Sequence, residues 1–292
     1  MILNSAAQND PNYIEKLVDE FECDLNCPLN CCLDSLGGGF IEGDYERLKQ
    51  YDGKKLIDGS TFRLRDCIEK NGDEIKFCQD ENGVCLLLKD GKCLIQASFG
   101  RQALSYECRE YPRRIFSFGD HTEKMLDPEC PKVTEIFLKQ ELWFWDYMTK
   151  VIEPDPEGLF EKRRKLILAL KGGEEELSET LDHLCDEHGI DMRCRQDKKL
   201  PVNMEGIVRH LFACAVFGYL FEYGYESEIF DELIYRFIGM GVRLYDYLSE
   251  IDDISRENIA VHFNRGCYKT FEADETEKHQ EVLLNVMREA GI

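Results

Sequence analysis

The sequence predicts a mainly α-helical protein: a loop-rich cysteine module with a short β-hairpin, followed by an α-helical domain. After residue 131, apolar residues recur at helical spacing over most of the chain. Between residues 23 and 131 that periodicity is poor, and Gly, Asp and Asn are frequent. Ten of the fourteen cysteines also fall within the first 130 residues. We therefore place the module at residues 1–131 and the helical domain at residues 132–292.

The first predicted element is a helix that leads into the cysteine-rich region. Asp10 suits the N-cap position, and Pro11 suits the first helical position because its missing N–H would have no partner there. Apolar residues then follow at helical spacing, at Tyr13, Ile14, Leu17, Val18 and Phe21.

A β-hairpin is predicted in the middle of the module. Residues 84–88 and 92–95 are apolar runs separated by Lys89-Asp90-Gly91, and Asp-Gly supplies the positive φ angles of a tight turn. We expect this hairpin to bring Cys85 and Cys93 close together. Further turns are predicted at Gly37-Gly38-Gly39 and Asn71-Gly72.

The second half is predicted to consist of helices. A helix with apolar residues from Ile136 to Tyr147 on one face is broken at Glu153-Pro154-Asp155-Pro156, because proline does not fit a helix interior. The other predicted helices cover residues 157–171, 174–188, 204–223, 227–249, 255–265 and 276–290.

The cysteines of the module follow two patterns. The first is Cys23-x3-Cys27-x3-Cys31-Cys32, and the second is Cys85-x7-Cys93-x14-Cys108, with Cys130-Pro131 after a gap. The amino terminus has neither the basic start nor the apolar core of a secretory signal, so we expect a cytoplasmic protein. In a reducing compartment, clustered thiols indicate a soft metal or an iron–sulfur cluster rather than disulfides.

The residue types leave two metal centres open. Four thiolates suit zinc as well as an iron–sulfur cluster. His121 is the only histidine of the module, which disfavours a mixed Cys/His zinc site. Eight candidate thiols exceed the four ligands of one site. Cys31, Cys32, Cys85, Cys93 and Cys108 are the ligands we expect first, with Cys23, Cys27 and Cys130 next.

Charge and hydropathy exclude two kinds of partner. The formal net charge of −22 repels phosphate backbones, so we expect no nucleic acid. The same charge would attract a lysine-bearing protein. No apolar run reaches the roughly 20 residues of a membrane-spanning helix, so we expect no membrane partner. A looser group, His183, Cys185, His188 and Cys194, lacks the spacing of a helical metal motif.

Taken in order, these motifs resemble those of a known family. Cys23, Cys27, Cys31 and Cys32, then Cys85 and Cys93, then Cys-Arg-x-Tyr-Pro-Arg at residues 108–113, and finally Cys130-Pro131 are similar to the flagellin lysine-N-methylase family. That family belongs to a broader set of cysteine-rich proteins described as zinc- or iron-chelating. The similarity covers roughly residues 20–150.

The resemblance implies an enzyme that uses S-adenosylmethionine to methylate a lysine side chain of a protein, with flagellin as one substrate to consider. It also implies a bound iron–sulfur cluster, with 4Fe-4S favoured and zinc as the alternative. We assign Arg109, Tyr111 and Arg113 to cofactor binding, because arginines can hold a carboxylate or donate hydrogen bonds to a negatively charged cluster. The catalytic residues are unknown. The alternative function is a non-catalytic zinc or iron–sulfur binding module whose helical domain docks a partner.

Overall fold

The structure is a computed structural model, and it describes residues 11–22, 39–71, 74–81, 84–118, 121–139, 143–172, 175–220 and 227–273. Over these residues the chain is mainly α-helical, with short two-stranded sheets and many loops, so the predicted fold class is confirmed. None of the helices in this part of the chain is long and apolar enough to cross a membrane.

The described residues divide into two compact units. The first unit draws on Met1–Glu20, Arg114–Glu129 and Val133–Ile292, and the second on Phe21–Arg113 and Cys130–Lys132. The chain therefore passes more than once between the units, whereas the sequence suggested a single boundary after residue 131.

The first unit is built mainly from helices. Its described elements are α1 (Pro11–Glu20), a hairpin whose second strand is His121–Leu126, most of Pro131–Lys139, and then Trp145–Met148, Leu159–Lys171, Leu177–Glu187, Val202–Tyr219, Ser227–Ser249 and Ile259–Ala273. The predicted helices at 11–21, 157–171, 174–188, 204–223 and 227–249 agree with these elements to within a few residues. The helix predicted at 276–290 lies wholly outside the described residues.

The helix Val202–Tyr219 forms the centre of this unit. Its residues from Val208 onward are buried around the whole circumference. A helix that is apolar on every side is stable only when neighbours cover it. Leu159–Lys171 packs directly against it, and Ser227–Ser249 packs against Leu177–Glu187 and Ile259–Ala273.

Two buried carboxylates of the hairpin segment connect it to these helices. Arg163 donates two hydrogen bonds to the Glu123 carboxylate, at 2.7 and 2.6 Å, and its guanidinium lies 4.1 Å from the Phe217 ring centroid. The fully buried Asp127 accepts hydrogen bonds from Arg114 and from the Tyr219 hydroxyl. Each carboxylate is therefore neutralised inside the unit.

The predicted helix across Ile136–Tyr147 is interrupted. One helix ends at Lys139, and the next begins at Trp145. The backbone N–H of Phe144 donates to Nε2 of the buried His210, at 2.9 Å, instead of to a carbonyl of its own helix. A contact with a distant helix thus overrides the local apolar pattern.

The second unit contains short elements around a small core. They are Asp44–Lys49, Leu64–Cys67, β1 (Ile68–Asn71), β2 (Glu74–Phe77), β3 (Leu88–Lys89), β4 (Lys92–Cys93), Leu94–Phe99, a 3₁₀ turn at Arg101–Ala103, Tyr106–Glu110 and the first residue of Arg113–Phe118. The β1–β2 pair is antiparallel, with Asn71 opposite Glu74, and Gly72 of the turn predicted at Asn71-Gly72 lies outside the described residues. The core consists of Leu48, Leu56, Phe62, Leu64, Phe77, Leu87, Leu94, Ile95, Ala103 and Leu104.

Candidate metal centre

The structure describes half of the predicted metal ligands. The predictions for Cys23, Cys27, Cys31 and Cys32 lie outside the described residues. The remaining predicted ligands all belong to the second unit, and they are Cys85, Cys93, Cys108 and Cys130.

The structure has a hairpin at the predicted turn, with strands shorter than predicted, and Cys93 is its last residue. Asp90 and Gly91 form the turn with positive φ angles of 50° and 73°, as this type of turn requires. The register places Cys93 opposite Leu88. The helix Leu94–Phe99 begins at the next residue, and Leu94 N–H donates to the Leu87 carbonyl at 2.8 Å. Cys93 therefore lies at a fixed junction between a strand and a helix.

Cys85 precedes the hairpin, and its backbone pairs with the segment that follows β2. An antiparallel bridge joins it to Gln79, and Leu86 N–H donates to the Cys78 carbonyl at 3.0 Å. The hairpin strands are only two residues long, so they do not extend to Cys85. Backbone bonds to the segment after β2 thus fix Cys85.

Cys108 lies on the short helix Tyr106–Glu110, which a buried carboxylate holds in place. Asp44 accepts hydrogen bonds from the N–H groups of Tyr106, at 2.7 Å, and Ile41, at 3.2 Å. Arg47 pairs with Asp44 at 2.6 Å and also donates to the carbonyls of Gln102 and Leu104. Burial raises the pKa of Asp44, but these hydrogen bonds and the Arg47 charge outweigh it and hold the pKa below its usual range. A charged Asp44 thus anchors the loop that carries Cys108.

Thiols that are far apart in the sequence pack against the apolar core of the second unit. Cys85, Cys93 and Cys108 are half-buried and pack against the apolar cluster of the second unit. Cys130 is almost fully buried, and the residues Cys130–Lys132 are grouped with this unit although the chain on either side is not. Four predicted ligands therefore share one compact unit.

The donor chemistry of this unit fits a soft metal. Thiols are the candidate ligands, and His121 belongs to the other unit. Among the described residues, no group of three or more His, Cys, Asp or Glu side chains is arranged to hold a metal ion. A site made from Cys85, Cys93 and Cys108 would thus need further ligands, and the predicted ones are Cys31 and Cys32.

The cysteine motifs did not identify two further thiols that lie near the predicted ligands. Cys67 and Cys78 flank the β1–β2 pair, and Cys78 N–H donates to the Cys67 carbonyl at 2.8 Å. Burial raises the pKa of Cys67 to about 11, and the neighbouring Cys78, Asp66 and Cys85 add to the shift. The three thiols are thus close enough to affect one another. The turn signal at Asn71-Gly72, nearly midway between Cys67 and Cys78, is the pattern that could have revealed this pair.

The residues predicted to bind a cofactor make contacts within their own unit. Arg109 Nε donates to Glu110 at 3.0 Å, and the Arg109 guanidinium lies 5.5 Å from the Tyr106 ring centroid. Arg113 donates to the Phe21 carbonyl. Tyr111 N–H donates to the Glu107 carbonyl at 2.9 Å. The predicted roles of Arg109, Tyr111 and Arg113 in binding a cofactor stay predictions.

The first unit carries an open groove beside residues 150–161, which we call the acidic groove. It consists of two adjoining cavities, of about 670 and 330 Å³, that share Pro154, Asp155 and Phe160. Phe160 packs edge-to-face on Phe118, with ring centroids 5.0 Å apart, and gives the groove an apolar wall. Val151 is 59% exposed nearby, so apolar surface continues to the solvent.

Carboxylates outnumber cations in this groove. Its charged side chains are Glu153, Asp155, Glu157 and Glu161 against Lys150 and Arg164. Arg164 pairs with Glu161 at 3.2 Å, and Asp155 accepts the Glu161 N–H at 2.9 Å. No side-chain hydrogen bond or ion pair joins Glu153 or Glu157 to the residues that the structure describes. The acidic groove therefore favours a cationic, partly apolar ligand.

The looser His/Cys group forms no cluster of three or more metal-ligand side chains in the part of the chain that the structure describes. His183 is exposed and pairs with Glu175 at 2.6 Å, whereas Cys185 and Cys194 are buried. Burial raises the pKa of both thiols, so they stay protonated at neutral pH.

Comparison with family models, with curated proteins and with solved structures finds no match to this chain. The resemblance to the flagellin lysine-N-methylases thus rests on the cysteine motifs alone and stays a prediction.

Proposed function

We propose that this protein is an iron–sulfur protein that methylates lysine side chains of another protein with S-adenosylmethionine. The observation that carries the metal part is that Cys85, Cys93 and Cys108 pack against one apolar core and that Cys130 belongs to the same compact unit. The methylase part rests on the resemblance of the cysteine motifs, and the acidic groove supports it.

The donor, when bound, supplies a methyl group on a sulfonium. The lysine amine must be neutral to accept this group, and it must be held in line with the sulfur–methyl bond. The protein's contribution is therefore mainly positioning and the exclusion of water.

The acidic groove suits recruitment of the substrate rather than the reaction itself. Carboxylates beside a lysine raise its pKa and keep it protonated, which prevents attack on a methyl group. Glu153 and Glu157 would instead attract the ammonium groups of lysines that flank the modified one. The apolar wall at Phe160 would contact their aliphatic side chains.

The metal proposal is tested by iron and acid-labile sulfide analysis after anaerobic purification. We expect both in the wild-type protein and a strong loss of both in Cys93→Ser and Cys108→Ser. Cys78→Ser is the matched control, since Cys78 is a half-buried thiol of the same unit outside the predicted ligand set, and it should retain the metal. A colourless zinc protein would contradict the cluster and support the alternative zinc-binding module.

The methylase proposal is tested with a radiolabelled methyl donor, a lysine-rich peptide and purified flagellin. We expect label on lysine with the metal-loaded protein and none with Cys93→Ser. The variant E153Q/E157Q should raise the KM for the peptide with little change in kcat, whereas Glu187→Gln, an exposed control in the same unit, should change neither. Metal-loaded protein that neither binds the donor nor transfers a methyl group would favour the non-catalytic module.

A further inference from the structure

Two cysteines outside the predicted ligand set lie side by side at the end of a strand pair. The register of β1 and β2 places Ile68 opposite Phe77. Cys67, the last residue of the helix Leu64–Cys67, precedes Ile68, and Cys78 follows Phe77, so both cysteines lie at the same end of the strand pair. A hydrogen bond from Cys78 N–H to the Cys67 carbonyl, at 2.8 Å, holds the two backbones side by side at this end.

This position meets the geometric requirement of a disulfide. Residues joined by a backbone hydrogen bond between adjacent antiparallel segments have Cα atoms about 5.5 Å apart. Disulfides join cysteines whose Cα atoms are about 4.4–6.8 Å apart, with a preference for about 5.5–6 Å. Both thiols are also half-buried rather than enclosed, so a small oxidant can reach the pair.

We propose that Cys67 and Cys78 form a reversible disulfide by exchange with a low-molecular-weight disulfide such as oxidised glutathione. This inference goes beyond the proposed function and does not depend on the metal or on methyl transfer.

The exchange balances in two steps. The Cys78 thiolate attacks oxidised glutathione, forms a mixed disulfide and releases one glutathione thiolate. The Cys67 thiolate then attacks the Cys78 sulfur, forms the protein disulfide and releases the second glutathione. The protein loses two protons and two electrons, and the glutathione disulfide is reduced to two thiols.

The surroundings of the two thiols assign their order. Cys67 is more deeply enclosed by the protein than Cys78. Cys78 is therefore the thiol that reacts first with the solvent species. Cys67 closes the bond because its partner is held next to it, which replaces a bimolecular encounter.

A competing thiol makes the assignment testable. Cys85 is close enough to affect the pKa of both cysteines, so it could replace Cys67 or Cys78 in the bond. Digestion with trypsin and Glu-C separates the three cysteines, because Lys70 and Lys76 lie between Cys67 and Cys78, and Glu81 lies between Cys78 and Cys85.

The experiment treats the full chain with excess oxidised glutathione, blocks the remaining thiols, and maps the peptides without and with reduction. We expect the peptide that contains Cys67 to be linked to Phe77–Glu81, in wild type and in Cys85→Ser, and the link to be lost on reduction. In Cys67→Ser the reaction should stop with glutathione on Cys78. The buried Cys267 is the internal control and should remain unmodified.

Three outcomes would overturn the proposal: no linked peptide, a link through Cys85, or a link that forms only in urea. The wild-type map decides the question by itself if the Cys67→Ser variant fails to fold. Because metal content is not part of the readout, failure of this proposal leaves the cluster and the methylase proposals unaffected.

Discussion

The buried pair of Arg163 and Glu123 gives the sharpest stability prediction. Arg163 is 2% exposed and Glu123 is 4% exposed, and two hydrogen bonds of 2.7 and 2.6 Å join them. Arg163→Met removes both bonds and leaves the carboxylate buried without its main partner. Each such charge-assisted bond contributes about 1.5–3 kcal/mol, and breaking a buried ion pair from one side costs about 3–5 kcal/mol.

We therefore expect the free energy of unfolding of the first unit to fall by about 3–5 kcal/mol in Arg163→Met. At roughly 2–4 °C per kcal/mol, the melting temperature should fall by roughly 6–20 °C. The assay is urea unfolding followed by tryptophan fluorescence. Both tryptophans of the chain, Trp143 and Trp145, lie in the first unit, so the signal reports on that unit.

The double variant E123M/R163M tests the reason for the loss. Replacing both partners by apolar side chains of similar size is often nearly neutral, since no charge stays buried. We expect it to regain most of the stability lost in Arg163→Met. A single variant that loses less than about 1 kcal/mol, or a double variant as unstable as the single one, would refute this account of the pair.

Three further predictions concern His210, Asp44 and Gly241. Burial lowers the pKa of His210 to about 3, so below about pH 6.5 the unfolded chain binds a proton that the folded chain does not. The free energy of unfolding of the wild type should therefore fall by about 1.4 kcal/mol per pH unit in this range. In urea titrations, His210→Gln, which keeps an acceptor for the Phe144 N–H, should abolish that dependence on pH. The pKa of Asp44 lies below its usual range, so this carboxylate stabilises the second unit above about pH 4, and the effect is lost as the pH falls through the folded pKa. Asp44→Asn should lower the free energy of unfolding by about 1–3 kcal/mol at neutral pH and speed hydrogen exchange of the Tyr106 amide. Gly241→Ala should destabilise by about 1–3 kcal/mol in thermal unfolding, because its Cβ would lie 2.7 Å from Phe212 and 2.8 Å from Leu181, whereas Gly239→Ala, whose nearest neighbour is Met192 at 3.4 Å, is the tolerated control.

The sequence predicts elements well where local chemistry decides them. Asp90-Gly91 demands a turn with positive φ angles, and the hairpin forms there. The apolar spacing of residues 227–249 predicts a helix, and the structure has one at Ser227–Ser249. Prediction from the sequence fails where a distant residue determines the backbone conformation. At Phe144 the N–H donates to His210, and the predicted helix is interrupted.

The candidate site shows the same limit. The motif spacing identified Cys85, Cys93 and Cys108, which the structure places on one core. Cys67 and Cys78 belong to no cysteine motif, and a backbone hydrogen bond at the end of the β1–β2 pair brings them together. The short strands of that pair carry charged residues such as Glu69 and Lys76 and lack a long apolar alternation, so periodicity could not find them.

The way the chain is shared between the two units determines which fragments can be produced alone. A recombinant piece that starts at residue 132 would contain Arg163 but lack residues 114–129, and so it would contain neither Glu123 nor Asp127. A guanidinium would then remain in an apolar interior with no counter-ion, and we expect such a fragment to be recovered as aggregate. A deletion of residues 21–113, closed by a short linker, retains both carboxylates and is the better starting point for isolating the helical unit.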